Sequence, residues 1–231
     1  MVRRSAWVLG LALVTGMAVA SEADAMPRIE IDDVLVEGGT IAYGGAGGTL
    51  TGTAIPLDQI RGIDTPLNPG AVLDCVDCFL NFETGDLVSY TAPDTWVFGS
   101  GGFFTITGLV DYGAGGVGSG TILTGSFADH VDVNDLGVFL GVFGSGIDTK
   151  DPTLVQYFGL GSNFTFGQTN LSSDIVSLDT ATGAFVANVT NTDVENINVV
   201  PEPGTLGMLG AGLVGLGALI RRRRLPAIAT A

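Results

Sequence analysis

Basic residues are scarce between the two ends of the chain. The 231 residues include 9 Lys and Arg against 24 Asp and Glu, which gives a formal net charge of −15. Only Arg28, Arg61 and Lys150 lie between the ends. Nucleic-acid binding requires clustered Lys and Arg that displace counterions from phosphates, so the composition excludes nucleic acid as a partner. Cations, basic proteins and neutral glycans remain as candidate partners. Alternatively, the negative charge serves solubility alone.

Residues for catalysis are equally scarce. His130 is the one histidine, so a Ser-His-Asp triad would have to use it, and no Gly-x-Ser-x-Gly motif is present. The Gly-rich runs lack the Lys-Ser/Thr of a phosphate-binding loop. We therefore predict a protein that is not an enzyme, holds no metal and uses no cofactor. Glycoside hydrolysis by a pair of carboxylates remains an alternative, because acidic residues are abundant.

A secretory signal peptide is predicted at the N-terminal end. Two arginines near the start precede an apolar run over residues 7–20, and small-x-small cleavage motifs end at Ala20 and at Ala25. The run is shorter than the roughly 20 residues of a spanning helix. We predict a signal peptide over residues 1–25 with cleavage after Ala25, or alternatively after Ala20. An uncleaved anchor is the other interpretation.

Three features follow one another at the C-terminal end. Pro201, Glu202 and Pro203 lead into an apolar run rich in Gly and Leu. Four consecutive arginines end the run, namely Arg221, Arg222, Arg223 and Arg224. A transmembrane helix over residues 204–220 would be about 25 Å long, which barely meets the ~30 Å hydrocarbon core. The arginines should stay in the cytoplasm, which places the preceding domain outside the inner membrane.

This order of features resembles the PEP-CTERM sorting signal, a tail also known as the ice-binding protein C-terminal segment. The resemblance implies that an exosortase recognises and removes the tail. It also implies an inner-membrane intermediate, followed by the outer cell surface or the exopolysaccharide matrix. The resemblance covers residues 199–224 and implies nothing about the domain before them. A tail that is kept as a plain membrane anchor is the alternative.

Strand signals dominate the middle of the chain, where β-branched and aromatic runs alternate with Gly, Asn, Asp and Pro. They predict strands over residues 29–36, 49–55, 79–82, 87–91, 103–110, 120–127, 136–143, 163–167, 175–178 and 184–189. Turns are predicted at residues 44–48, 84–86, 113–120 and 181–183. Asp151 and Pro152 predict the N-cap and first position of one short helix. We expect one all-β domain over residues 26–198, an antiparallel, jelly-roll-like β-sandwich, before a sorting segment over residues 199–231.

Cys75 and Cys78 are the only cysteines in the chain. In an exported protein, two cysteines usually form a disulfide. A redox-active pair normally lies at the start of a helix, whereas a strand-like segment over residues 79–82 follows here. A zinc site would need two further ligands. We predict a structural disulfide and keep a redox role as the alternative.

Residues 129–135 form the densest cluster of side-chain oxygens, with Asp129, Asp132, Asn134 and Asp135 around His130. Such oxygens could bind Ca²⁺, although the glycine and the distal Glu of an EF-hand are missing. We interpret the segment as a solvated polar loop, with calcium binding as the alternative.

These observations predict a non-enzymatic, exported protein of the cell surface or exopolysaccharide matrix with a structural or adhesive role. The alternatives are a carbohydrate- or calcium-binding extracellular module and an extracellular polymer hydrolase. The expected partners are an exosortase, exopolysaccharide or envelope glycans, and the inner membrane, transiently, through residues 204–220.

Overall fold

Most of the described part of the chain forms β-strands. The computed structural model describes residues 26–34, 36–113, 116–161 and 165–197. Its strands are β1 (Arg28–Asp32), β2 (Thr40–Tyr43), β3 (Thr49–Ile63), β4 (Val72–Thr91), β5 (Thr95–Phe98), β6 (Gly101–Asp111), β7 (Val117–Phe127), β8 (Val131–Asp135), β9 (Leu140–Gly144), β10 (Gly146–Lys150), β11 (Thr165–Leu178) and β12 (Phe185–Ile197). A helix, α1 (Pro152–Phe158), connects β10 to β11. The predicted signal peptide and sorting segment lie outside the described residues.

Antiparallel pairing joins these strands into one twelve-stranded sheet, in the order β1-β3-β2-β12-β11-β9-β8-β5-β4-β6-β7-β10. Further pairs between β1 and β12 and between β3 and β4 close the sheet on itself. β1 and β2 lie end to end between the longer strands β3 and β12, and each pairs with both. The prediction of an all-β, antiparallel domain is confirmed. Its finer part, a jelly-roll-like sandwich, stays a prediction.

The long strand β4 bends, and its two parts pair with different strands. β5 and β6 are separated only by Gly99 and Ser100, and both pair with β4. β8 pairs with β5 whereas β7 pairs with β6, so the chain crosses the same bend again between β7 and β8. At the bend, Gly102 has a φ of +61°, and a Cβ atom there would lie 1.9 Å from the carbonyl oxygen of Glu83. Glycine is required at this position because the two strands approach so closely.

Inward-facing apolar side chains from all parts of the sheet form one core. Buried and outward-facing residues alternate along the strands, as the two-residue period of a strand requires. Trp96 of β5 is fully buried, and its indole N–H donates to the carbonyl oxygen of Gly183 at 2.8 Å. Its ring centroid lies 5.2 Å from that of Tyr90 and 5.0 Å from that of Phe185. Trp96 therefore connects β5 to the turn between β11 and β12.

Helix α1 begins where the sequence predicts. The Asp151 side chain accepts hydrogen bonds from the backbone N–H groups of Thr153, at 2.7 Å, and Leu154, at 3.2 Å. Pro152 occupies the first turn, where its missing N–H has no intrahelical partner to lose. Gly159 ends the helix in the left-handed conformation, with a φ of +67°. The predicted N-cap is confirmed.

Residues 84–86 lie within β4, so the predicted turn there is wrong. The Thr84 hydroxyl oxygen accepts the backbone N–H of Leu50 at 3.0 Å, and Thr84 is buried. A Cβ atom on Gly85 would lie 2.4 Å from the carbonyl oxygen of Ser100. This glycine therefore permits a close approach between strands, a role whose sequence signal is the same as that of a turn.

Candidate functional site

Cys75 and Cys78 form a disulfide within β4, as predicted, with their Cα atoms 5.6 Å apart. Both residues are buried. Between them Asp77 has a φ of +50°, and the pairing of β4 with β6 shifts register between Val76 and Phe79. The disulfide therefore closes a bulge in a strand, whereas redox-active pairs normally lie at the start of a helix.

Residues 131–135 form strand β8, so the prediction of a solvated loop is wrong for this part of the acidic segment. Val131 and Val133 are buried and alternate with outward-facing Asp132 and Asn134. This alternation is the strand signal that the density of carboxylates obscured. Within the described residues, no group of three or more His, Cys, Asp and Glu side chains is placed to hold a metal ion.

Outward-facing acidic side chains lie opposite one another on β1 and β12. Asp32 is directly opposite Asp193, and Glu30 is directly opposite Glu195. Directly opposed side chains on antiparallel strands have Cβ atoms about 4.5–5.5 Å apart, so like charges are held close together. Arg28 bridges the two glutamates, with guanidinium–carboxylate distances of 3.1 Å to Glu30 and 3.2 Å to Glu195. The two aspartates lie one row further along the strands.

Burial raises the pKa of both aspartates. For Asp32, desolvation is the largest cause, the positive charge of Arg61 opposes it, and neighbouring carboxylates add to it. For Asp193, desolvation again comes first, followed by the negative charges around it, whereas a hydrogen bond with the Asn170 side chain lowers the pKa. The folded protein therefore disfavours the charged form of both groups.

We expect Asp193→Asn to stabilise the fold near neutral pH, by no more than about 1 kcal/mol because solvent screens this partly exposed site. The folded-state pKa lies above the ordinary value of 3.8, so the folded state binds the proton more tightly than the unfolded chain does. Wild-type stability therefore rises as pH falls through the raised pKa, and the advantage of the variant should shrink over that interval. Urea midpoints across this pH range measure the difference, with Asp174→Asn on β11 as the control. An advantage that grows on acidification would contradict the expectation.

The single lysine of the sequence is buried in β10. Its ammonium group donates to the Asp148 carboxylate, and the two side chains are 1% and 0% exposed. Burial raises the pKa of Asp148 and lowers that of Lys150, while their mutual attraction opposes both shifts. Among the described strands, β10 pairs only with β7 and ends the sheet. Inward-pointing charges on such an edge deter pairing with another chain, and the sequence analysis missed this role.

The two ends of the described domain lie side by side. Ile197, at the end of β12, is directly opposite Arg28, at the start of β1. We call this end of the sheet the terminal pole, and the opposite end, with the turns after β2, β8 and β11, the distal pole. Residues 199–224 match the PEP-CTERM protein-sorting motif. The PEP-CTERM motif thus begins two residues after the last residue of β12.

The PEP-CTERM motif contains all seven predicted sorting residues, which are Pro201, Glu202, Pro203, Arg221, Arg222, Arg223 and Arg224. It identifies an exosortase sorting signal and implies export to the cell surface. The motif and the predicted span over residues 204–220 lie outside the described residues. Within them, no helix is long and apolar enough to cross a membrane. Neither curated proteins nor solved structures gave a match to the chain.

Proposed function

We propose that this chain is a non-enzymatic protein of the outer cell surface or exopolysaccharide matrix, with a structural or adhesive role. The observation that carries the proposal is the PEP-CTERM motif over residues 199–224, because it implies export and exosortase processing. The chain is then the substrate of the processing enzyme. Exopolysaccharide or envelope glycans are its partners outside the cell, and residues 204–220 contact the inner membrane only until the tail is removed.

A jelly-roll-like sandwich is the form we propose for the mature domain. Apolar side chains from β4 and β6, such as Leu80 and Phe104, line the same internal space as Val142 of β9 and Leu171 of β11. Because β4 and β6 are separated from β9 and β11 in the order of the sheet, this shared space supports two layers packed face to face.

The intact mass of the native protein tests the proposal, measured in the envelope and matrix fractions of the producing cells with and without reduction. We expect a chain that starts after Ala25 or Ala20 and ends between Pro201 and Gly204. Reduction should add two hydrogens, since Cys75 and Cys78 are disulfide-bonded. Additional mass at the new C-terminus would reveal an attached glycan or lipid. A protein that retains its arginine cluster would be a plain membrane-anchored protein, and the proposal would fail.

A structural or adhesive role has a second requirement, namely association with the producer's own polymer. Purified protein should sediment with isolated exopolysaccharide or envelope material and remain in solution without it. A correctly processed protein that associates with neither would contradict the adhesive part of the proposal while leaving the sorting part intact.

A further inference from the structure

Two exposed aromatic rings lie on either side of a glycine along β9. Phe139, the residue directly before β9, and Phe143 are 36% and 37% exposed, and Gly141, on the same face as Phe143, lies buried between them. A Cβ atom on Gly141 would lie 2.8 Å from Cε2 of Phe143 and 3.6 Å from Cε2 of Phe139. Both rings therefore lean over the glycine and lie along the sheet. We call Phe139, Gly141 and Phe143 the β9 strip.

Polar side chains flank the β9 strip on both neighbouring strands. Asp132 of β8 and Asn170 of β11 are directly opposite Phe143, one on each side. Asn134 of β8 is directly opposite Gly141. Because directly opposed residues share a face of the sheet, these polar groups project beside the rings. The strip is therefore a pair of aromatic rings between rows of hydrogen-bonding groups.

A concave surface lies at each end of the strip. The one around Phe143 has a volume of about 480 Å³, and the one around Phe139 about 350 Å³. Carboxylates and an amide line them, namely Asp129, Asp132 and Gln168 at the first and Asp135 and Asp174 at the second. The strip and its two concave ends thus form one elongated surface, a shape that suits a polymer chain.

The charge around the strip is predominantly negative. Of the basic residues in the middle of the chain, Arg28 and Arg61 belong to β1 and β3. Neither strand pairs with β8, β9 or β11. Lys150 is buried beside Asp148. The exposed imidazole of His130 lies in the concave surface at Phe143. A polyanion such as a uronic-acid polymer would be repelled here, whereas a ligand with distributed positive charge would be attracted.

We propose that the β9 strip binds an amino-sugar polysaccharide, a polymer whose hexose units carry free ammonium groups. The faces of the Phe139 and Phe143 rings attract cations and pack against the apolar C–H face of a pyranose. The flanking carboxylates, with Asp132 nearest to Phe143 in the strand register, form charge-assisted hydrogen bonds with the ammonium groups. This inference rests on the proposed function, because it names the class of matrix glycan that the exported domain binds.

The probe is a glucosamine hexamer, compared with the same hexamer fully N-acetylated, and binding is measured by calorimetry on the full chain in mild detergent at low salt. We expect the glucosamine hexamer to bind more tightly than its acetylated counterpart, because only the former carries ammonium groups. Phe143→Ala should weaken binding by about three- to tenfold. Asp132→Asn should weaken it by about two- to fivefold.

Phe79→Ala is the matched control, because Phe79 is 38% exposed on β4, outside the strip. Its affinity should equal that of the wild type, and urea midpoints should show that every variant is folded. Equal binding of the two hexamers, no binding of the glucosamine hexamer, or an unchanged affinity in Phe143→Ala would each overturn the inference. If the protein is processed and associates with the matrix but gives one of these results, the proposed function stands and only the amino-sugar ligand is ruled out.

Discussion

Trp96→Ala should lower the free energy of unfolding by about 3–5 kcal/mol, the range for removing a large buried ring. Trp96 is fully buried against Tyr90 and Phe185, so its removal leaves a cavity between β5 and the turn after β11. The carbonyl oxygen of Gly183 also loses its hydrogen-bond donor. Urea denaturation followed by far-ultraviolet circular dichroism measures the loss.

Two further variants separate the causes of that loss. Trp96→Phe keeps an aromatic ring but removes the indole N–H, and should cost about 1–3 kcal/mol through the unsatisfied buried carbonyl group. Phe103→Ala removes a ring that is 46% exposed on β6 and should change stability by less than about 0.5 kcal/mol. A Trp96→Ala variant as stable as Phe103→Ala would show that Trp96 does not anchor the core.

Lys150→Met should destabilise the fold by about 3–5 kcal/mol, because it leaves the Asp148 carboxylate buried without its cationic partner. The cost should decrease on acidification, since burial already raises the pKa of Asp148 and a protonated carboxyl group no longer needs the lysine. Urea midpoints at neutral and acidic pH measure both effects. Thr149→Val, at the exposed position between the two charges, is the control on the same strand.

The double variant Asp148→Leu with Lys150→Met removes both charges together. Apolar replacement of a buried ion pair is often neutral or stabilising, so the double variant should be at least about as stable as the wild type. It should nevertheless form aggregates, detected by light scattering, because β10, the last described strand in the order of the sheet, loses its inward-pointing charges. A Lys150→Met variant with wild-type stability, or a double variant that stays monomeric, would contradict this account of the edge.

Local signals in the sequence predicted the parts of the fold that depend on neighbouring residues. The alternation in β1 and β12 and the Asp151 cap of α1 are examples, because a strand period or a cap needs only a few residues. The bounds were less accurate, since β12 extends to Ile197 whereas the predicted strand ended at residue 189. Likewise, β9 begins at Leu140, and the residues predicted as its first part form the preceding turn.

Contacts between distant segments determined what the sequence did not predict. Strand β5 is only four residues long, and Trp96 is buried in it by residues from β4 and β12. Closure of the sheet depends on pairing between the first and last strands, which no local pattern encodes. Gly85 has the sequence signature of a turn, yet it provides space for a neighbouring backbone. Gly141 lies within a predicted strand, where no local pattern indicates that it provides space for aromatic rings. At the β9 strip, the sequence identified Asp132 as part of the acidic segment, but it gave no signal for the ring of Phe143 opposite it.

The adjacent ends of the domain restrict how the protein is held while its tail is still attached. Four residue steps separate Ile197 from Pro201, and a chain of that length reaches at most ~14 Å. Under the proposed function, in which residues 204–220 contact the inner membrane until the tail is removed, this short connection would keep the terminal pole near the membrane and near the processing enzyme. Because the last described strand, β12, ends at Ile197, a cut near Pro201 removes none of the described strands from the sheet. Under the proposed function, processing therefore leaves the described domain whole, with any newly attached group only a few residues along the chain from Ile197, which lies opposite Arg28.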